Sequence, residues 1–121
     1  MNESDTEDSL AHLREALRKF ARDRDWDQFH TPRNLATALA VEAAELLEHF
    51  MWLKDDDVTA FDEAKLQKIG EELADVLLYL IRLSDKLNLD LTSAASQKIN
   101  LNAAKYPVAL AKGSSKKYTE L

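Results

Sequence analysis

Glu72-Leu73-Ala74-Asp75-Val76-Leu77-Leu78-Tyr79-Leu80-Ile81-Arg82-Leu83 is the stretch on which the fold turns. From Val76 to Ile81, and again at Leu83, its apolar side chains occupy every side of a helix. A helix that is apolar all round must be covered all round. Four helices of ordinary size can hardly enclose one of their own number. The run therefore predicts an obligate oligomer, dimer or tetramer, in which a second subunit covers the remaining face. A flanking strand-like element is the alternative.

Working outward, Thr59 with Asp62 resembles a capping box that opens this helix, which then runs to about Leu87. At roughly 27 residues it would be about 40 Å long. The preceding helix starts at Thr31-Pro32, an N-cap followed by proline at the first helical position. It continues to about Trp52 through Leu35, Leu39, Leu46, Leu47 and Phe50. Leu53 to Ala60, with three consecutive aspartates, is a connection. A first helix is expected from about Asp5 to Arg24, with Leu10, Leu13, Leu17 and Phe20 at helical spacing. A fourth starts near Asp90 and ends near Lys105, because Pro107 disfavours helical geometry at Tyr106. The expectation is an all-α, four-helix bundle-like fold, a single domain over residues 1–121. Residues 1–8 and 113–121, the latter opening with Gly113-Ser114-Ser115, are expected to be flexible tails.

Composition agrees. The chain has 121 residues, 45% hydrophobic and 31% charged, as expected of a soluble globular protein. Two glycines and two prolines are too few for a many-stranded sandwich or barrel. Cysteine is absent, which excludes disulfides, thiol catalysis and thiolate zinc sites. The first ten residues are acidic and lack the apolar core of a signal peptide, and no apolar run is long enough for a membrane span. A cytoplasmic protein without membrane partners is expected. The net charge is −6, unevenly spread: residues 98–121 carry five lysines against one glutamate. The acidic body disfavours nucleic-acid polymers as partners, since phosphate neutralisation needs a basic surface. The basic end suits either a small anion or simple solvation.

Two acidic pairs stand in otherwise apolar text: Glu42 and Glu45, then Glu72 and Asp75. Each is spaced i, i+3, so both carboxylates share one helical face and repel. A divalent cation offsets that repulsion, and four convergent carboxylates form an oxygen cage suited to Mg²⁺ or Mn²⁺. The alternative is a solvated stripe on each helix. A di-iron site would need Glu-x-x-His pairs; His49 follows Glu45 by four residues, and the third helix has no histidine. His49 is read as structural.

Glu42-x-x-Glu45, then 26 residues, then Glu72-x-x-Asp75 resembles the MazG-like all-α nucleoside triphosphate pyrophosphohydrolases. The run Arg24 to Leu35, with Phe50-Met51-Trp52, Asp75 to Leu80 and Lys116 to Leu121, is similar to the dCTP pyrophosphatase 1 branch. The likeness spans roughly residues 10–121. It implies hydrolysis of the α–β phosphoanhydride to a nucleoside monophosphate and diphosphate, with a preference for dCTP or 5-modified dCTP. It also implies that Glu42, Glu45, Glu72 and Asp75 are the catalytic, Mg²⁺-holding residues. By the same resemblance Trp26, Asp27, Gln28, Phe29 and His30 bind the nucleotide, with Trp52 and Tyr79. Lys98 and Asn102, one turn apart and followed by Tyr106, match the phosphate side. Leu17 stands where vertebrate members carry a substrate-contacting histidine, so strict cytosine preference is not expected.

The residues alone allow the same assignments. On a helix running to Trp52, that side chain lies two turns beyond Glu45 on one face, and Tyr79 lies one turn beyond Asp75. Aromatics beside a metal cage can stack on a base. Core packing is the plain alternative for Trp26, Phe29, Trp52 and Tyr79, and a solvated surface for Lys98 and the tail lysines. Gly70, two residues before the second pair, suggests close helix packing there. A broad-specificity pyrophosphatase, or a non-catalytic nucleotide-binding or oligomerisation module, is the rival reading.

Overall fold

The computed structural model of the chain describes residues 3–54 and 61–121, without the side chains of residues 3–8. The described residues form helices and turns and no strand. In chain order they are α1 (Glu3–Asp23), a 3₁₀ turn (Asp27–Phe29), α2 (Pro32–Glu48), α3 (Glu63–Lys86), α4 (Leu91–Lys105), the short α5 (Val108–Ala111) and a last 3₁₀ turn (Tyr118–Glu120). The chain falls into two units, Met1–Leu89 and Asp90–Leu121.

Local chemistry sets where the helices begin. Thr31 Oγ1 accepts the Asn34 backbone N–H at 3.2 Å, with Pro32 at the first helical position of α2. Asp62 Oδ1 caps α3 by accepting from Lys65 N at 2.8 Å, and Asp90 Oδ1 caps α4 by accepting from Ser93 N at 3.0 Å. Such caps contribute about 1 kcal/mol each. Asp62 is thus the N-cap of α3 rather than the inner partner of a capping box. Thr59, its expected partner, lies outside the described residues.

In a chain with two glycines, other residues must close the helices. Both α1 and α3 end in the paired hydrogen bonds of a Schellman motif. At α1, Trp26 N–H donates to Ala21 O and Asp25 N–H to Arg22 O; at α3, Leu89 N–H donates to Ser84 O and Asn88 N–H to Asp85 O. The left-handed positions are Asp25 (φ 54°) and Asn88 (φ 55°), the non-glycine types that tolerate this region best.

The end of α2 departs from expectation: it stops at Glu48, four residues short of Trp52. The backbone tightens there, with His49 N–H bonded to Leu46 O and Phe50 N–H to Leu47 O. The Phe50 ring meets Phe61 at 5.8 Å between centroids, which ties the end of the turn to the start of α3. Trp52 therefore sits in the turn and not on the α2 face that carries Glu45.

Within the first unit α3 is the central element, with α2 packed along it and α1 packed on it. The buried apolar residues are Ala21, Leu35, Ile69 and Ile81. Leu66, Leu73, Leu77 and Leu80, also on α3, remain exposed in the single chain. The apolar circumference read from the sequence is thus covered on one side only. The expected reason for Gly70 fails: a Cβ there would meet nothing within 4 Å beyond the helix's own backbone. In the second unit, Tyr106 and Tyr118 meet edge to face at 6.0 Å, and the Lys105 ammonium lies 5.0 Å from the Tyr118 ring centre.

Candidate active site

The packing of α2 along α3 brings the two acidic pairs together. Glu42, Glu45 and Glu72 each offer one carboxylate oxygen, and the three lie within 4.8 Å of one another. Glu42 and Glu72 are half-buried, and the Oε2 of each is fully buried without a hydrogen-bond partner. A buried acceptor left unpaired is costly, so the seam calls for a proton or a cation. The Glu42 carboxyl is pushed up from its ordinary value, first by its contact with Glu72, then by burial, with the Asp75 charge adding to both. Glu45 is pushed up too, chiefly by Glu42. Asp75 lies outside the tight trio, but its charge reaches Glu42. Hard carboxylate oxygens converging in this way could hold a divalent cation.

The segment after α1 forms the second part. Its aromatics are not core in this chain, Trp26 being 45% exposed and Phe29 59%, and Trp52, in the turn after α2, is 89% exposed. Trp26 packs edge-on against Phe20 at 5.7 Å and His30 at 6.4 Å. Gln28 Nε2 donates to the Asp25 carbonyl and carboxylate, both at 3.0 Å. Asn34 donates to Phe29 O at 2.9 Å, closing the turn onto α2. Tyr79 is half-buried on α3.

Asp27, read from the sequence as a nucleotide contact, sits in a network of ion pairs. Its Oδ1 accepts from Arg82 and, at 2.6 Å, from Lys86, and these cations hold its carboxyl below the ordinary range. Arg82 Nε also donates to His30 Nδ1 at 3.1 Å. Asp85 joins the group through Arg18, which grips both its oxygens at 2.8 and 2.5 Å. Arg18 holds the Asp85 carboxyl below its ordinary range. Of this group the sequence reading named Asp27 and His30 and passed over Arg18, Arg82, Asp85 and Lys86. The available signal was Arg82 itself, an arginine between Ile81 and Leu83, since a buried arginine requires an acidic partner.

Lys98 and Asn102 lie exposed on α4, in the second unit. His49 caps the end of α2 through its backbone N–H. No helix among the described residues is long and apolar enough to cross a membrane.

The chain is 42% identical to dCTP pyrophosphatase 1 of Homo sapiens over 117 residues, which is 95% of this chain and 69% of the relative. It is 41% identical to the Bos taurus protein of that name over 118 residues, 96% of this chain and 70% of the relative. Among solved structures, a pyrophosphatase from Archaeoglobus fulgidus DSM 4304 superposes with a TM-score of 0.77 at 38% identity, covering 82% of this chain and 93% of the other. The MazG-like family profile matches residues 37–121, a span that holds both acidic pairs. Together with the all-helical fold and the carboxylate seam, this identifies the chain as a member of the MazG-like family.

Proposed function

We propose that the protein is a Mg²⁺-dependent nucleoside triphosphate pyrophosphohydrolase that cleaves the α–β phosphoanhydride and prefers dCTP or a 5-modified dCTP. The observation that carries this reading is the seam: three glutamate oxygens within 4.8 Å, two of the carboxylates with a buried, unpartnered oxygen. A structural ion cluster would not leave these groups unpaired. Glu42, Glu45, Glu72 and Asp75 would hold the ion, with Mn²⁺ as a substitute. When bound, it would supply charge stabilisation at the phosphate oxygens and a lower pKa for an attacking water. One of the four, with Glu45 the first candidate, would also accept that water's proton.

Trp26, Phe29, Trp52 and Tyr79 would offer ring surface to the base, while Gln28 and His30 would read its polar edge. Asp27 would serve as the anchor of that segment, because both its cationic partners come from α3. Lys98 and Asn102 would meet the triphosphate. With Leu17 in place of a histidine, cytosine would be favoured over other bases and not required. A second subunit would cover the exposed leucines of α3, and light scattering should give at least twice the chain mass.

The test is a product assay with dCTP and Mg²⁺. Release of dCMP and diphosphate, abolished by a chelator, is the expected result. Stepwise release of orthophosphate, or no turnover across the triphosphates, would sink the proposal. Equal kcat/KM for all bases would select the broad-specificity reading.

A further inference from the structure

Arg82 is the buried charged side chain among the described residues, only 5% exposed, and the reaction proposed above leaves it unused. Its guanidinium makes two bonds to one short segment. Nη2 donates to Asp27 and Nε donates to His30 Nδ1 at 3.1 Å. Asp27 and His30 stand at opposite ends of the Asp27–Phe29 turn, so one planar group spans it from end to end. Arg82 is itself backed on α3 by Asp85, 3.6 Å from Nη1, and Asp85 is gripped by Arg18 from α1. Arg82 thereby ties both ends of the turn to α3 and, through Asp85 and Arg18, to α1, while Lys86 holds Asp27 alone.

The bond to His30 has a chemical consequence. A guanidinium carries donors and no acceptor, so the ring nitrogen facing it must present a lone pair. A neutral imidazole has one N–H, and here it must lie on Nε2. A second proton would have to enter at Nδ1, breaking the bond and placing a cation against Arg82. The His30 ring accordingly resists protonation, first through burial and then through Arg82 and Lys86, with Asp27 opposing.

We infer that Arg82 is a positioning residue that locks His30 as the neutral, Nε2-protonated imidazole, so that the turn presents one fixed hydrogen-bond donor to the nucleotide base. The inference rests on the reading that His30 faces the nucleotide. A fixed donor selects an acceptor on the base. Cytosine has an unprotonated ring nitrogen at N3, where uracil and thymine carry N–H. A histidine free to switch tautomers would present a donor to one group and an acceptor to the other. The lock removes that ambiguity.

The experiment uses the full chain with ¹⁵N-labelled histidine and reads the imidazole nitrogens of His30 by NMR, alongside kinetics with dCTP and dUTP. Wild type should show the Nε2–H tautomer at neutral pH. Arg82→Lys keeps a cation for Asp27 but loses the fork that reaches His30 as well. It should give mixed tautomers and, at the strength of one hydrogen bond, about a tenfold rise in KM for dCTP with kcat little changed and a narrower dCTP/dUTP ratio. Lys86→Met removes a cation that bonds Asp27 but makes no hydrogen bond to His30, and should keep the tautomer. An Nδ1–H or doubly protonated His30 in the folded wild type would overturn the lock, as would an unchanged imidazole spectrum in Arg82→Lys. Should the spectra behave as expected while His30→Ala keeps the wild-type KM, the placement of His30 at the base would fall and the lock would stand.

Discussion

The helix α3 carries charge among apolar residues in two places, and the two have opposite fates. At Glu72 and Asp75 the charges meet more of their own sign from α2, and buried oxygens go without partners. Two turns on, at Arg82, Asp85 and Lys86, every charge meets its opposite, from α1, from the 3₁₀ turn or from α3 itself. The second arrangement holds elements together and asks for nothing more. The first is left open at a cost to the fold, which is the condition under which a ligand can contribute binding energy.

The sharpest way to break the contrast is at the seam. Glu42→Gln or Asp75→Asn should lower kcat by at least about 100-fold, by comparison with the 10- to 100-fold seen for residues that only support metal ligands. The same substitutions should leave the metal-free melting temperature equal or higher, since they relieve like-charge repulsion. A variant that loses activity and stability together would make the seam a structural cluster.

Trp52→Ala comes next. By the worth of base stacking, about 1–3 kcal/mol, KM should rise roughly 5- to 150-fold for several nucleotides at once. At 89% exposure in the single chain, the side chain contributes little to its folding, so the urea midpoint should barely move. A large fall in stability with unchanged kinetics would assign Trp52 to packing.

On the paired side the effect should be on folding. Asp85→Asn leaves Arg18 and Arg82 without their shared carboxylate and should destabilise by roughly 1.5–3 kcal/mol, the scale of hydrogen bonds to charged groups. Urea unfolding at fixed protein concentration measures it, because assembly would shift the apparent value. An Asp85→Asn protein as stable as wild type would remove the bracing role assigned to the Arg18 pair.

The smallest effect is the shape of the pH profile without metal. Asp85 has a folded pKa below its ordinary 3.8. Its contribution is complete above that value and is lost as pH falls through the folded pKa. Glu42 and Glu45 have folded values above their ordinary 4.5. Their contribution is complete below 4.5 and is lost as pH rises through the raised values. His30, held below its ordinary 6.5, opposes them and loses stability as pH falls through that range, so the gain at the seam is read as the difference between wild type and Glu42→Gln. Glu42→Gln should lose stability more steeply than wild type between neutrality and pH 4.5, and both should fall below about pH 4 as Asp85 is protonated.

What could be read from the sequence was what is local in it. Thr31 and Asp90 announce helix starts because a cap is settled within four residues. The i, i+3 carboxylates were visible because both members share a helix. The end of α2 was not, because the apolar spacing continues past Glu48 to Phe50, whose ring meets Phe61 across the connection. The partners of Arg82 were hidden for the same reason: Asp27 and His30 stand 55 and 52 residues away in the chain. The exposed faces of Trp26 and Trp52 could not be told from core by spacing alone, since aromatic residues at those intervals suit either use.

The left-handed residue Asp25 also bears on engineering. The direction in which the Trp26–His30 segment leaves α1 depends on one backbone angle, and Gln28 is fastened to that residue through its carbonyl and its carboxylate. Most side chains at a φ of 54° strain the backbone, so a random library across 24–30 would lose most of its members to a displaced segment rather than to a changed preference. A library intended to retune the base should keep position 25 as Asp, Asn or Gly and place its diversity at Phe29, His30 and Leu17.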